Sequence, residues 1–167
     1  MLTNSPAKKT FLNTAQLVFI FSVLLFITIV QTLLAQTSSL TTDLQNCEYR
    51  EIGLRIKCSP QWDVTAMPNT IIFVISTEPR VVVTINKLRT SKTLDQLIVP
   101  KKGRSQLGGQ EAIRNEIRTP GNDRMVDFFT VKDYYTYSVN FTVNPSSKWK
   151  EYYPIFDVMI DSFQFLQ

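Results

Sequence analysis

Two cysteines, Cys47 and Cys58, carry the chemistry that is simplest to assign in this chain of 167 residues. If the segment between them folds as a hairpin that turns at Ile52-Gly53, the two side chains face each other on neighbouring strands. Cysteines of exported chains usually form disulfides, and the spacing of this pair is not that of a Cys-x-x-Cys redox motif. The sequence therefore predicts a structural disulfide between Cys47 and Cys58.

The same hairpin determines which charged side chains lie opposite each other. Glu48 would face Lys57, which is a favourable pair. Arg50 would face Arg55, and like charges directly opposite each other destabilise a pair of strands. The predicted register therefore contains one favourable and one unfavourable pair.

Residues that could act as nucleophiles or as acid–base catalysts are few. The chain contains no His, which removes the commonest general base and the commonest imidazole ligand of zinc. No Ser lies in a Gly-x-Ser-x-Gly turn, although a Ser–Lys pair stays open as an alternative. We therefore expect a protein that is not an enzyme and that needs no cofactor.

Carboxylates offer one candidate cation site. Asp157 and Asp161 are four residues apart on a predicted helix and so share one face, where they could bind a divalent cation. A solvated helix face is the more ordinary interpretation of such a pair. Asp123, Asp127 and Asp133 lack the spacing of a calcium-binding loop. The sequence therefore predicts no metal site.

Asn140 begins the triplet Asn140-Phe141-Thr142, which fits the acceptor pattern for N-linked glycosylation. The pattern has meaning only if the source glycosylates its exported proteins. Under that condition, Asn140 is a predicted glycosylation site.

A strand and a helix near the C-terminus form the frame that must position these residues. Tyr135–Val143 alternates between apolar and polar residues throughout, which indicates a strand with one buried face. After it, apolar residues recur on one side of a helix, and Pro154 fits the first turn of that helix. We expect a sheet with a helix laid across it, and the helix stripe consists of Ile155, Phe156, Met159, Ile160 and Phe163.

Three further segments shape the rest of the domain. Thr70–Ser76 is apolar on both faces, which suits a central strand covered above and below. Thr93 can cap a short helix that Pro100 ends. Lys101–Arg104 forms a basic loop that could contact anionic lipid or an acidic partner, although three charges beside a Gly are more often a solvated loop.

The first 36 residues have the features of a targeting segment. Lys8 and Lys9 precede Leu17–Val30, which carries no charge. This length favours a cleaved signal peptide, and a retained membrane anchor is the alternative. Either one would place the remainder outside the cytoplasm. Residues 37–46 are predicted as a polar linker and residues 47–167 as the exported domain.

Several motifs in the exported part resemble those of PsbP-like domains, which are named for the photosystem II extrinsic protein. GLRIKCSPQW (Gly53–Trp62) is similar to the glycine-to-tryptophan opening of that family. LGGQEA (Leu107–Ala112), the Tyr-rich strand at Tyr134–Val143 and FDVMIDSFQF (Phe156–Phe165) look like its later landmarks. The resemblance covers about residues 47–167, and it implies an α+β fold in which α-helices flank both faces of an antiparallel sheet.

The resemblance also implies a class of function. Most proteins of this family are non-enzymatic extracytoplasmic accessory or binding proteins, and the photosynthetic ones act at the membrane surface near the oxygen-evolving centre. Some are linked to calcium or manganese. Because this chain has no His, an imidazole metal site does not carry over, and no functional residue is transferred.

Two functions remain open. The first is an accessory or interaction domain at the outer face of the membrane, with a membrane or a membrane protein as partner. The second is a carrier or sensor of a small amphiphile bound between the sheet and the helix. The net charge of +4 is too small to indicate a nucleic-acid partner.

Overall fold

The computed structural model describes residues 43–97 and 103–167. The predicted signal peptide or anchor, most of the predicted linker and part of the basic loop lie outside these ranges. Within them no helix has the length and apolar character needed to cross a membrane. The described residues belong to one compact unit. The residues of its buried hydrophobic core come from the part of the sequence that runs from Ile52 to Phe163.

The described residues form ten β-strands, one α-helix and two short 3-10 helices. The strands are β1 (Gln45–Tyr49), β2 (Leu54–Cys58), β3 (Asp63–Met67), β4 (Thr70–Ser76), β5 (Arg80–Arg89), β6 (Gly103–Leu107), β7 (Gln110–Arg118), β8 (Arg124–Lys132), β9 (Tyr135–Asn144) and β10 (Gln164–Phe165). The helix α1 is Trp149–Asp161, and the 3-10 helices are Leu94–Gln96 and Ser146–Lys148.

The strands build two sheets, and every strand pair is antiparallel. The large sheet has the order β3-β4-β5-β9-β8-β7-β6, and the small sheet has the order β1-β2-β10. The alternation predicted for β9 is confirmed, because Tyr137, Val139, Phe141 and Val143 are buried. Strand β9 therefore stands at the centre of the large sheet.

One face of the large sheet, which we call the covered face, packs against α1 and the small sheet. The predicted helix stripe is confirmed at Ile155, Phe156 and Met159, which are all buried. Tyr49 of the small sheet meets Phe73 of the large sheet edge to face, with ring centroids 5.7 Å apart. Each large side chain buried in this way contributes about 1.5–3 kcal/mol, so the covered face holds the fold together.

The start of α1 differs from the prediction. The helix begins at Trp149, so Pro154 lies inside it rather than in its first turn. Trp149 and Tyr152 are both buried, and the ring of Trp149 lies 5.2 Å from that of Phe141. This aromatic burial extends the helix toward its N-terminus despite the hydrogen bond that a proline removes.

The register of the first hairpin also differs from the prediction. The pairs shift by two residues, so that Cys47 lies opposite Ile56 and Glu48 lies opposite Arg55. The shift removes the unfavourable facing arginines and gives Arg55 a hydrogen bond of 3.0 Å to the Glu48 carboxylate. The register that separates like charges is the one that forms.

The opposite face, which we call the open face, corrects the fold prediction. The described residues include no α-helix on this face, so the fold is a mainly antiparallel β-structure with one helix rather than a sheet flanked by helices on both sides. Strand β4 shows the consequence, because Ile71 and Phe73 are buried while Ile72 and Val74 are only half-buried. Polar outward residues in β5 and β9, such as Thr84 and Asn140, need no such cover.

Candidate functional site

A groove of about 530 Å³ lies on the open face, lined by residues of β7, β8 and β9 and by residues at and after the end of β5. Its walls are mainly apolar, its floor is polar, and two cations stand at its rim. The walls are formed by Leu88, Leu97, Ile117 and Phe129, the floor by Asn115, Asp127 and Thr136, and the rim by Arg89, Thr90 and Lys92. This volume is in the range of sites that bind small molecules. We call it the open-face groove.

The register of the sheet places the polar floor. Asn115 on β7 lies opposite Asp127 on β8, and Asp127 lies opposite Asn140 on β9. Asn140 in turn lies opposite Thr84 on β5. Four polar residues therefore form one row across four neighbouring strands, and two of them line the groove.

Asp127 is the acidic group of this floor, and it is 9% exposed. Its Oδ1 accepts a hydrogen bond of 2.5 Å from Nδ2 of Asn140, and the Asn140 Oδ1 accepts one of 2.8 Å from Thr142. Burial raises the pKa of Asp127, and hydrogen bonds from Asn140 and Asn115 oppose that rise only in part. The groove therefore disfavours the charged form of this carboxyl.

Asn115 has an unused hydrogen-bonding atom. The residue is 2% exposed, and its Oδ1 has no hydrogen-bond partner among residues 43–97 and 103–167. A buried acceptor left without a donor costs about 1–3 kcal/mol, and few occur in folded proteins. The floor of the groove therefore contains a buried acceptor that has no donor in the described part of the chain.

The rim of the groove is positive and partly apolar. Arg89 and Lys92 are exposed, and in the described part of the chain neither belongs to an ion pair. Leu88 beside them is 63% exposed. The groove thus opens toward solvent between two cations that form no ion pair with the described acidic side chains.

The cysteines predicted to pair are joined. Cys47 and Cys58 form a disulfide with their Cα atoms 6.0 Å apart, which confirms the prediction. Because Cys47 lies opposite Ile56 rather than Cys58, the bond joins diagonal neighbours across the hairpin. It belongs to the small sheet on the covered face and takes no part in the groove.

The other predicted site residues lie in different places. Asn140 contributes its side-chain amide to the polar row, and its glycosylation stays a prediction. Asp157 and Asp161 are exposed on α1, away from the groove. Residues 43–97 and 103–167 contain no group of three or more acidic, Cys or His side chains that could hold a metal ion.

The space between the sheet and α1 is filled where the sequence suggested a ligand. Phe141 and Phe156 are both fully buried, and their rings stack with centroids 4.7 Å apart. On the Tyr-rich strand, Tyr137 is buried in this core, whereas Tyr134 just before β9 is 80% exposed. The groove described above lies on the other face of the sheet.

Two of the three floor residues, Asn115 and Asp127, were not identified as site residues from the sequence. Asn115 was not singled out, and Asp127 was considered only for its spacing from other acids. The available signal was local: Asn and Asp are depleted in strands, yet each occurs in the middle of one. Polar residues at such positions need specific partners; the row supplies one for Asp127 but none for Asn115 Oδ1.

Comparison with solved structures supports the fold. No protein-family model and no curated protein matches the chain. The solution structure of the cyanobacterial PsbP (CyanoP) from Synechocystis sp. PCC 6803 is similar, with a TM-score of 0.52 and 15% identity over 74% of this chain and 92% of that one.

Two other solved structures are similar at lower identity. A crystal structure from Bacteroides thetaiotaomicron VPI-5482 has a TM-score of 0.55 and 9% identity over 75% of this chain, which spans 50% of that longer chain. LpqN, described as involved in cell envelope biogenesis of Mycobacterium tuberculosis, has a TM-score of 0.44 and 8% identity over 74% of this chain and 91% of that one. At these identities the likeness to CyanoP shows the fold alone, and it supports the PsbP-like fold expected from the sequence motifs.

Proposed function

We propose that this chain is a non-enzymatic accessory protein that works outside the cytoplasm, at the outer face of the membrane, and binds a small amphiphile in the open-face groove. The Cys47–Cys58 disulfide supports an oxidising compartment. The N-terminal apolar segment predicted from the sequence supports export and a place beside the membrane. The absence of His supports binding rather than acid–base catalysis.

The observation that carries the proposal is the groove itself. A concave site with apolar walls and a few convergent polar groups is the usual form of a small-molecule site. Here Ile117 and Phe129 supply walls while Asn115 and Asp127 supply polar atoms at the floor. A carboxyl whose pKa is raised by burial in a cleft is a further indication of a functional site.

The chemistry of the lining indicates an amphiphile. Leu88, Leu97, Ile117 and Phe129 favour an apolar body because each removes apolar surface from water on contact. Arg89 at the rim favours an acidic head group. A molecule with both properties would contact every part of the groove.

The test uses residues 40–167, which contain the whole described core, and two soluble ten-carbon acids, decanoate and 10-hydroxydecanoate. Calorimetric titration should detect binding of at least one of them to the unaltered domain. Ile117→Trp should fill the groove and weaken that binding at least about tenfold. Ile72→Trp places the same large ring on a half-buried position of the open face outside the groove, and it should leave the affinity unchanged.

Two results would contradict the proposal. The first is that neither acid binds the unaltered domain. The second is that Ile117→Trp and Ile72→Trp affect binding equally, since binding would then not occur in the groove.

A second candidate function is contact with the membrane through the end of the sheet beside the groove. Leu88 is 63% exposed and Tyr134 is 80% exposed. They lie close together, because the backbone N–H of Thr90 donates a hydrogen bond of 2.8 Å to the carbonyl of Tyr134. Exposed Leu and Tyr beside cations such as Lys92 suit the membrane–water interface.

Co-sedimentation with vesicles that contain anionic phosphatidylglycerol tests this second function. The double variant Leu88→Ser and Tyr134→Ser should lose most of the binding shown by the unaltered domain. Met67→Ser is the matched control, because Met67 is also exposed but lies on the edge strand β3. Equal losses in both variants would count against a membrane contact at this end of the sheet.

A further inference from the structure

The buried side chain of Asn115 indicates the chemical class of the ligand. The inference drawn from it rests on the proposed function of the open-face groove. Asn115 Oδ1 is an acceptor without a donor, and the residue lines the groove. Because the residue is 2% exposed, bulk water does not hydrate this oxygen freely. The most direct way to satisfy the atom is a donor group on a bound molecule.

The orientation of the Asn115 amide is set by its neighbour. Asn115 lies opposite Asp127 on the neighbouring strand, and hydrogen bonding from its side chain offsets in part the rise that burial causes in the pKa of that carboxyl. Turning the amide over would place its oxygen against that carboxylate, so that two acceptors would face each other. In this orientation the Asn115 amide oxygen has no donor among the described residues.

The charge of the rim determines which group of the ligand is favoured there. Arg89 and Lys92 both line the groove and are exposed. They attract an anionic group and repel a cation. A ligand that brings an ammonium group to the floor would have to pass between them, so a neutral donor is favoured.

We propose that the open-face groove binds an amphiphilic acid that has a neutral hydrogen-bond donor, a hydroxyl or an amide, at the end remote from its acidic group. The donor binds Asn115 Oδ1 at the floor, the apolar chain lies between Ile117 and Phe129, and the acidic group binds Arg89 and Lys92 at the rim. Asn115 is then the residue that distinguishes such a ligand from a simple fatty acid.

The geometry of the sheet limits the length of the ligand. The Asp127–Asn140 pair lies near one end of the groove, and the Leu88–Thr136 pair lies near the other end, beside the rim residues. Thr136 and Asn140 are four residues apart on β9, which at about 3.3 Å per residue is roughly 13 Å. An extended ten-carbon chain is of comparable length.

The experiment compares two ligands that differ by one hydroxyl group. 10-Hydroxydecanoate and decanoate are titrated into residues 40–167 by calorimetry at neutral pH. The hydroxy acid should bind about tenfold more tightly, because its terminal hydroxyl satisfies a buried acceptor at a gain of about 1.4 kcal/mol. The double variant Arg89→Gln and Lys92→Gln should lower the affinity of the domain for both acids by a similar factor.

Two variants assign the effect to Asn115. In Asn115→Leu the acceptor is absent, so the ratio of the two affinities should fall to about one. Asn86→Leu makes the same replacement on the open face at a residue that does not line the groove, and it should keep the tenfold ratio.

Each result decides between the inference and the proposed function. If decanoate binds as tightly as the hydroxy acid to the unaltered domain, the donor inference is overturned while the groove remains an amphiphile site. If Asn115→Leu keeps the tenfold ratio, Asn115 is not the acceptor and the inference is overturned as well. If neither acid binds, the proposed function fails together with the inference. The comparison on the unaltered domain does not depend on whether a variant folds.

Discussion

The rings of Phe141 on β9 and Phe156 on α1 stack face to face, with centroids 4.7 Å apart and planes 5° from parallel. Both side chains are fully buried, so this contact joins the helix to the centre of the sheet. Stacked aromatic pairs add about 0.5–1.5 kcal/mol beyond the burial of their surface.

Truncating the helix side of this contact should be severe. We expect Phe156→Ala to lower the free energy of unfolding by about 3–5 kcal/mol, because it removes a buried ring and leaves a cavity. Urea unfolding measures the change. Asp161→Ala on the exposed side of the same helix should stay within about 0.5 kcal/mol, and a neutral Phe156→Ala would contradict the packing described here.

Removing the disulfide should weaken the domain without preventing it from folding. The double variant Cys47→Ala and Cys58→Ala frees a short loop, which by the chain-entropy estimate costs about 3 kcal/mol. Cys58 belongs to the buried core, but most members of that core lie on the large sheet and α1. Urea unfolding should therefore show a cooperative transition at a lower midpoint, and loss of the transition would show that the small sheet is essential for folding.

Replacing the internal proline of α1 should stabilise the domain. Pro154 is exposed and lies inside the helix, where a proline costs about 3 kcal/mol, and part of that cost is offset by the lower entropy of the unfolded chain. We expect Pro154→Ala to raise the free energy of unfolding by about 1–2 kcal/mol. Lys150→Ala, also exposed on the same helix, serves as the control and should be nearly neutral; a destabilising Pro154→Ala would contradict this account.

The pH dependence of stability should reveal Asp127. Burial raises its pKa in the folded state above the ordinary value of 3.8, so the folded chain binds this proton more tightly than the unfolded chain. The free energy of unfolding contributed by Asp127 therefore falls as the pH rises from about 3.8 through the folded pKa. The Asp127→Asn variant has no carboxyl at this position, so its free energy of unfolding does not include this decrease with rising pH.

The difference between the unaltered domain and Asp127→Asn isolates the effect. Glu48 and Glu116 have pKa values that hydrogen bonds to arginine lower, so they act in the opposite direction in both proteins and cancel in the difference. Urea unfolding at a series of pH values should show Asp127→Asn gaining stability relative to the unaltered domain as the pH rises. A constant difference would show that Asp127 titrates normally.

The fold was predictable where hydrophobic periodicity was strong. The alternation of Tyr135–Val143 and the stripe that contains Ile155, Phe156 and Met159 correctly predicted β9, α1 and their contact. The start of α1 and the first hairpin were less predictable. A proline rule suggested a helix start near Pro154, whereas burial of Trp149 decided it, and charge pairing decided the hairpin register.

The groove was harder to predict because it depends on long-range register. Asn115, Asp127 and Asn140 are separated in sequence and become neighbours only when β7, β8 and β9 pair. The expectation of a helix on the second face rested on the resemblance to PsbP-like domains and not on the pattern of residues in the strands. The half-buried state of Ile72 shows what that missing cover leaves exposed.

On β8 and β9, the residues that preserve the fold and the residues available for recognition lie on opposite faces of the sheet. Residues of β8 alternate between the two faces: Val126 and Phe128 point to the covered face, whereas Asp127 and Phe129 line the groove. A family of such domains can therefore change what it recognises by substituting every second residue of a strand, while the intervening residues stay apolar and preserve the fold. Divergence in specificity would then appear in an alignment as alternating columns of constancy and variation.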